Sequence, residues 1–228
     1  MNDIISKALG KIRNYPKEHK ELLNAHHFVF NVPLFKNIVK ADAIIIGLNP
    51  GETREDFLYN KNLPTEESSE FDFHDTIGKS KSARNFQNRC KFYLETENIF
   101  LTEFFFWSSN QAGEDKKKIE TFSGKFGYKF LDCPHFNFCK KLNLELIKYH
   151  NPKIIIALGN SYREFFSSIY NLKFIKDSRC ELDKRTLAIA HYEFLNIPFL
   201  FTPHWTGYAY SNDLKNYVKE YIKNLVNT

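Results

Sequence analysis

An α/β fold, with a parallel sheet covered by helices on both faces, is the class this sequence predicts. Three observations predict it. The buried-strand run Ala43–Gly47 empties into the polar turn Gly47, Leu48, Asn49, Pro50, Gly51. A second apolar run, residues 197 to 202, ends the same way in Pro203, His204, Trp205, Thr206, Gly207. Around them, apolar runs of strand length alternate with segments of helical spacing, the pattern of a sheet whose crossovers are helices. Open α/β sheets bind ligands outside the carboxyl ends of their parallel strands, so the two strand-end loops are candidates for one shared site holding Asn49 and His204.

In chain order, residues 3 to 14 and 17 to 30 carry helix-compatible spacing on either side of Pro16, which predicts a helical elaboration over residues 1 to 40. Ala43–Gly47 is the first strand. Residues 52 to 80 are rich in Glu, Asp, Ser and Lys, with Pro64 and Gly78 inside. They read as a long loop of the kind usually kept for function, with Phe57, Tyr59, Phe71 and Phe73 as candidates to cover a ligand. Residues 81 to 95 predict a helix and residues 98 to 107 a strand that, after Asn98, is apolar except for Thr102 and Glu103. A carboxylate in such a run is costly unless paired or protonated. Residues 111 to 129 read as a polar excursion with little fixed structure.

A helix over residues 136 to 150 is stopped by Asn151 and Pro152. Ile154–Leu158 is the third strand, and Gly159, Asn160 and Ser161 turn the chain into a helix running to Tyr170, with Asn160 or Ser161 as its cap. Residues 187 to 191 predict a short edge strand, residues 199 to 203 the last central strand, and residues 212 to 226 a closing helix capped by Ser211 or Asn212.

A chain of 228 residues suffices for one good core and demands no second domain, so residues 1 to 228 are expected to form a single domain. Its 23 Phe and 12 Tyr lie mostly inside apolar runs, which assigns them to the core rather than to a binding surface. A net charge of +5 permits a polyanionic partner without requiring one. Lys116, Lys117 and Lys118 read as a solvated loop. Cys90, Cys133, Cys139 and Cys180 include no CxxC pair and fit no common zinc spacing. With no recognisable signal peptide and no run of 18 apolar residues, free thiols and a cytoplasmic location are expected.

The runs Ile44, Ile45, Ile46, Gly47, Leu48, Asn49, Pro50, Gly51, then Pro152 to Ser161, then Phe201 to Gly207, occur in an order and spacing that resemble the uracil-DNA glycosylase superfamily. The resemblance covers residues 41 to 226. Its first motif is most similar to the mismatch-specific and single-strand-selective branches, and residues 138 to 160 to the bacterial iron-sulfur branch. It implies a three-layer α/β/α sandwich on a mainly parallel four-stranded sheet, with DNA crossing the strand ends. It also implies a reaction in base-excision repair. A deaminated or damaged base is rotated out of the stack and its bond to deoxyribose C1′ is hydrolysed by a monomeric protein, with no cofactor.

Under the resemblance Asn49 positions the attacking water, as an amide can by accepting a hydrogen bond from it. His204 donates to the carbonyl oxygen on which charge builds as the base departs. The backbone of Gly47, Leu48 and Gly51, with Pro50 among the substrate-binding set, would approach the base or a phosphate closely, and Phe57, Phe71 and Phe73 are the candidates to stack on the base. Trp205, Thr206, Gly207, Tyr208 and Tyr210, with Asn160 and Ser161, make the DNA-facing set, in which Tyr208, backed by Tyr210, is the wedge that fills the gap left by the flipped base.

The family usually reads uracil with an asparagine where this chain has Glu103. An ionised carboxylate accepts only. Three readings stay open: Glu103 is protonated by burial and imitates the asparagine, it pairs with a base edge that presents adjacent donors, or it is a salt-bridged structural residue. The N-terminal cysteine pair of the iron-sulfur branch has no counterpart, so the chain is expected to lack a cluster. The alternative on this scaffold is a nucleic-acid- or base-binding protein without turnover. A hydrolase of free nucleosides would have no use for the wedge.

Overall fold

A computed structural model describes residues 3–19, 27–28, 32–33, 40–48, 51–52, 70–71, 81–107, 109–110, 134–182, 185–205 and 211–227. Among the described residues the elements are α1 (Asp3–Glu18), β1 (His27–Phe28), β2 (Val32–Pro33), β3 (Ala43–Gly47), β4 (Gly51–Glu52), β5 (Glu70–Phe71), α2 (Lys81–Leu94), β6 (Ile99–Glu103) and β7 (Ser109–Asn110). There follow α3 (Phe136–His150), β8 (Ile154–Leu158), α4 (Arg163–Tyr170), β9 (Lys173–Leu182), β10 (Arg185–Phe194), β11 (Ile197–Thr202) and α5 (Asn212–Val226). The chain is thus an α/β protein with a mixed, partly parallel sheet. It divides into two compact units, one from residues 1–32, 48–73 and 103–148, the other from residues 33–47, 74–102 and 149–228.

The second unit holds the main sheet. Six strands run in the order β6-β3-β8-β11-β10-β9, with the two-residue β2 beyond β6. β3, β8 and β11 are parallel, and Ala157 pairs with Ile46 on one side and Phe201 on the other. Residues 43 to 46 and all of β8 are buried, which is why both read as continuous apolar runs rather than as alternation. β10 pairs antiparallel with β11 and with β9. The expected four-stranded sheet is therefore too small. The expected edge strand over residues 187 to 191 is the middle of a ten-residue strand, and a further strand lies outside it. β9 escapes sequence reasoning because Lys173, Lys176, Asp177, Arg179 and Glu181 are exposed along it, and such charge blunts an edge while erasing the apolar period.

Helices of this unit dock by their apolar stripes. α2 buries Ala83, Phe86, Cys90 and Tyr93, and α5 buries Leu214, Val218 and Ile222, the spacing of one helical face. The two helices pack on each other. Ser211 caps α5, its hydroxyl accepting from Leu214 N at 3.3 Å. The expected cap of α4 is not made. Residues 160 to 162 form a 3-10 turn, Tyr162 stands at the N-cap with no side-chain bond, and Asn160 Nδ2 donates instead to Ala188 O at 3.0 Å.

At the amino edge of this sheet, Asp42 Oδ2 accepts from Thr96 Oγ1 at 3.2 Å and Asn98 Nδ2 at 3.0 Å, and Lys153 N donates to Asp42 O at 2.8 Å. One aspartate thus ties together the starts of β3, β6 and β8.

In the first unit, Lys11 of α1 pairs with Glu145 of α3 at 2.7 Å, and Tyr15 stacks on Phe138 with centroids 3.9 Å apart. The predicted break at Pro16 is absent: α1 runs through it to Glu18. Proline is least costly near a helix end, and His19 N closes the turn on Pro16 O at 3.1 Å. Among the described residues of the expected second helix, 17 to 30, Lys17 and Glu18 finish α1 and His27–Phe28 pairs as a strand with Glu70–Phe71. β6 ends at Glu103, four residues short of the expected strand. Phe104, Phe105, Phe106 and Trp107 are fully buried without extending it, and an all-apolar run cannot distinguish a strand from a buried bend.

Candidate functional site

Because Ala157 is level with both Ile46 and Phe201, β3 and β11 deliver Gly47 and Thr202 to the same carboxyl edge of the sheet, on either side of Leu158. Neighbouring strands lie about 4.8 Å apart, so these two strand ends lie about 10 Å from each other. Gly159 N donates to Thr202 O at 2.7 Å and pins the end of β8 to the end of β11. Gly159 needs its hydrogen side chain. Its φ is +117°, and a Cβ would lie 3.1 Å from Tyr162 Cδ2.

His204 is exposed at this edge. Its ring lies over Phe86 of α2, centroids 6.0 Å apart and planes 23° from parallel. Trp205 corrects the sequence reading. Expected to face DNA, it is fully buried, its ring 4.7 Å from that of Tyr93. A large apolar ring gains far more by packing under the turn than by facing water. Arg89 Nη1 donates to Trp205 O, so a side chain from α2 grips the backbone next to His204. Sequence reasoning missed Arg89, although a cation between Phe86 and Tyr93 on a buried helical face is the signal that marks it. Trp205 Nε1 and Tyr93 Oη are buried without a hydrogen-bond partner among the described residues. Burial pushes the Tyr93 phenol up to about 12 and the Cys90 thiol well above its usual value. Neither group supplies an anion near neutral pH.

Asn160 is half-buried with its amide nitrogen committed to Ala188 O, while Ser161 is exposed beside it. Gly47 is half-buried and Leu48 buried. Gly51 begins a two-residue parallel pairing with β7. Asn49, Pro50, Phe57, Phe73, Thr206, Gly207, Tyr208 and Tyr210 lie outside the described residues. In the first unit, Phe105 N donates to Leu48 O at 2.9 Å. Glu103 is half-buried at the end of β6, with Oε2 below the surface. Asn143, also missed from sequence, holds this segment. Its Nδ2 lies 3.1 Å from the carbonyl oxygens of Glu103, Phe104 and Cys139.

Cys90, Cys139 and Cys180 carry free thiols. Among the described residues no cluster of His, Cys, Asp and Glu is arranged to hold a metal ion, and no helix is long and apolar enough to cross a membrane. No protein-family model matches the chain, and no curated protein matches it in sequence.

Proposed function

We propose that this protein is a DNA glycosylase that hydrolyses the bond between a flipped-out deaminated or damaged base and its deoxyribose. The level emergence of Gly47 and Thr202 at one sheet edge carries the reading, because the sequence runs on from these two strand ends to Asn49 and to His204. In this reading Asn49 holds a water in line with C1′, and His204 donates to the base oxygen as negative charge develops there. The exposed imidazole over Phe86 and the arginine clamp on Trp205 O favour that role, since a donor must be preorganised to stabilise charge that exists only in the transition state. Tyr208 fills the gap left in the stack. Glu103, at a strand end, biases the choice of base.

Alkali-revealed strand cleavage tests it, on labelled single-stranded and duplex oligonucleotides carrying uracil, hypoxanthine or xanthine. Excision by the parent should fall by about 10²–10³-fold in His204→Ala, the usual cost of one such donor. It should fall strongly in Asn49→Ala with DNA binding retained. If no base is excised while DNA still binds, the chain binds bases without turnover. Equal loss of cleavage and binding in Asn49→Ala makes that loop structural.

A further inference from the structure

A cleft of about 620 Å³ opens between α2 and α5 in the second unit. Asn85, Asn88, Arg89 and Phe92 line it from α2, and Lys215 and Asn216 from the first turns of α5. Its size is that of a small-molecule site, for which about 300–1,000 Å³ is usual. No carboxylate lines it. Phe92 is 40% exposed, with Lys219 Nζ 5.0 Å from the centroid of its ring. Tyr93 also contributes to the lining, and its buried hydroxyl has no partner among the described residues.

Amides that both donate and accept, two cations, and an exposed aromatic ring are the parts with which proteins hold an unpaired nucleotide. The ring stacks a base, the amides meet its edge, and the cations take the phosphate. An acidic peptide would use the cations but leave the ring and the amides without a role. Arg89 adds a connection. One guanidinium nitrogen grips Trp205 O, and a guanidinium has five N–H donors, so further donors remain for a phosphate.

We infer that the α2–α5 cleft is a binding site for one unpaired nucleotide of a DNA single strand, its base on Phe92 and its phosphate at Lys215 and Arg89. The choice of DNA rests on the proposed function; the cleft and its chemistry do not. Arg89 would then join the strand beside the target base to the turn that carries His204.

The test is fluorescence anisotropy of a fluorescein-labelled, undamaged thymidylate 12-mer with the full chain, over a range of salt. Phe92→Ala should weaken binding about tenfold, the scale of one lost base stack. Lys215→Gln should reduce the salt dependence by about 0.7 in slope, one phosphate contact on a single strand. The double variant Lys141→Glu/Lys148→Glu, on a separate basic groove of α3, should bind as the parent does, and circular dichroism should be the same in all. Unchanged affinity in both cleft variants, or no binding by the parent, overturns the inference. So does equal competition by polyglutamate, which would make the cleft a general anion site. Because the probe carries no damaged base, the outcomes separate. Excision with normal binding by the cleft variants removes the cleft and leaves the glycosylase, and cleft-dependent binding without excision does the reverse.

Discussion

Asn143 is fully buried on the face of α3 that carries Cys139, Leu142, Leu146 and Ile147. Its amide nitrogen has two hydrogens for three carbonyl oxygens, so it fastens the chain as it leaves β6 rather than filling space. Replacing it with leucine leaves the Glu103 and Phe104 carbonyls without that donor, and an unsatisfied buried group costs about 1–3 kcal/mol. Asn143→Leu should therefore lower the urea midpoint with the slope unchanged; an unaltered midpoint would show that the carbonyls find other donors. Burial also ranks the thiols. Cys90 and Cys139 are inaccessible while Cys180 is half-buried, so among these three a thiol reagent should modify Cys180 first in the native protein, as peptide mass mapping would show. Asn49 and His204 stood out in the sequence because polar residues at the ends of buried strands interrupt an apolar run. Asn143 did not, because one amide within a helix looks like a surface residue until its place in the buried stripe is counted.

Elements whose signals are local were legible. α2, α3 and α5 begin and end within one residue of their expected bounds, since an apolar stripe, a stop or a serine cap is written into each segment. Ser211→Ala should cost about 1 kcal/mol, the usual value of an N-cap, read as a lowered denaturation midpoint. Gly159→Ala is a sharper test of how β8 meets α4. At φ +117° and with Tyr162 Cδ2 3.1 Å from the new methyl, backbone strain of about 1–3 kcal/mol adds to a displaced ring. This variant should lose more stability than Ser211→Ala, and the opposite order would mean that the turn relaxes freely. The β9–β10 hairpin was not legible as a unit. Its outer strand is recognisable only from its partner, because register with β10 makes it a strand where its own charged sequence does not.

At the scale of the molecule, parallel β3, β8 and β11 follow from sequence because buried parallel strands need uninterrupted apolar runs, whereas the antiparallel extension of the sheet depends on pairing that no single run encodes. The same core governs the response to acid. His150 Nδ1 accepts from Ala41 N at 3.1 Å, its ring lies 4.3 Å from Phe100, and it is 2% exposed. The neutral ring carries its proton on Nε2, so protonating Nδ1 would break the bond to Ala41. Burial first, and then the charge of Lys40, push its pKa down to about 4, against about 6.5 in an unfolded chain. Between those values the unfolded chain binds a proton that the folded one refuses, so stability is full above about pH 6.5 and declines as pH falls toward about 4. The loss amounts to at most about 3 kcal/mol. His191, lowered by burial and by Lys176, acts in the same direction. Urea denaturation at pH 7, 5.5 and 4.5 should show this decline in the parent and a shallower one in His150→Gln, whose amide oxygen can still accept from Ala41 N but does not titrate. Parallel curves for the two proteins would place the acid sensitivity in the carboxylates instead.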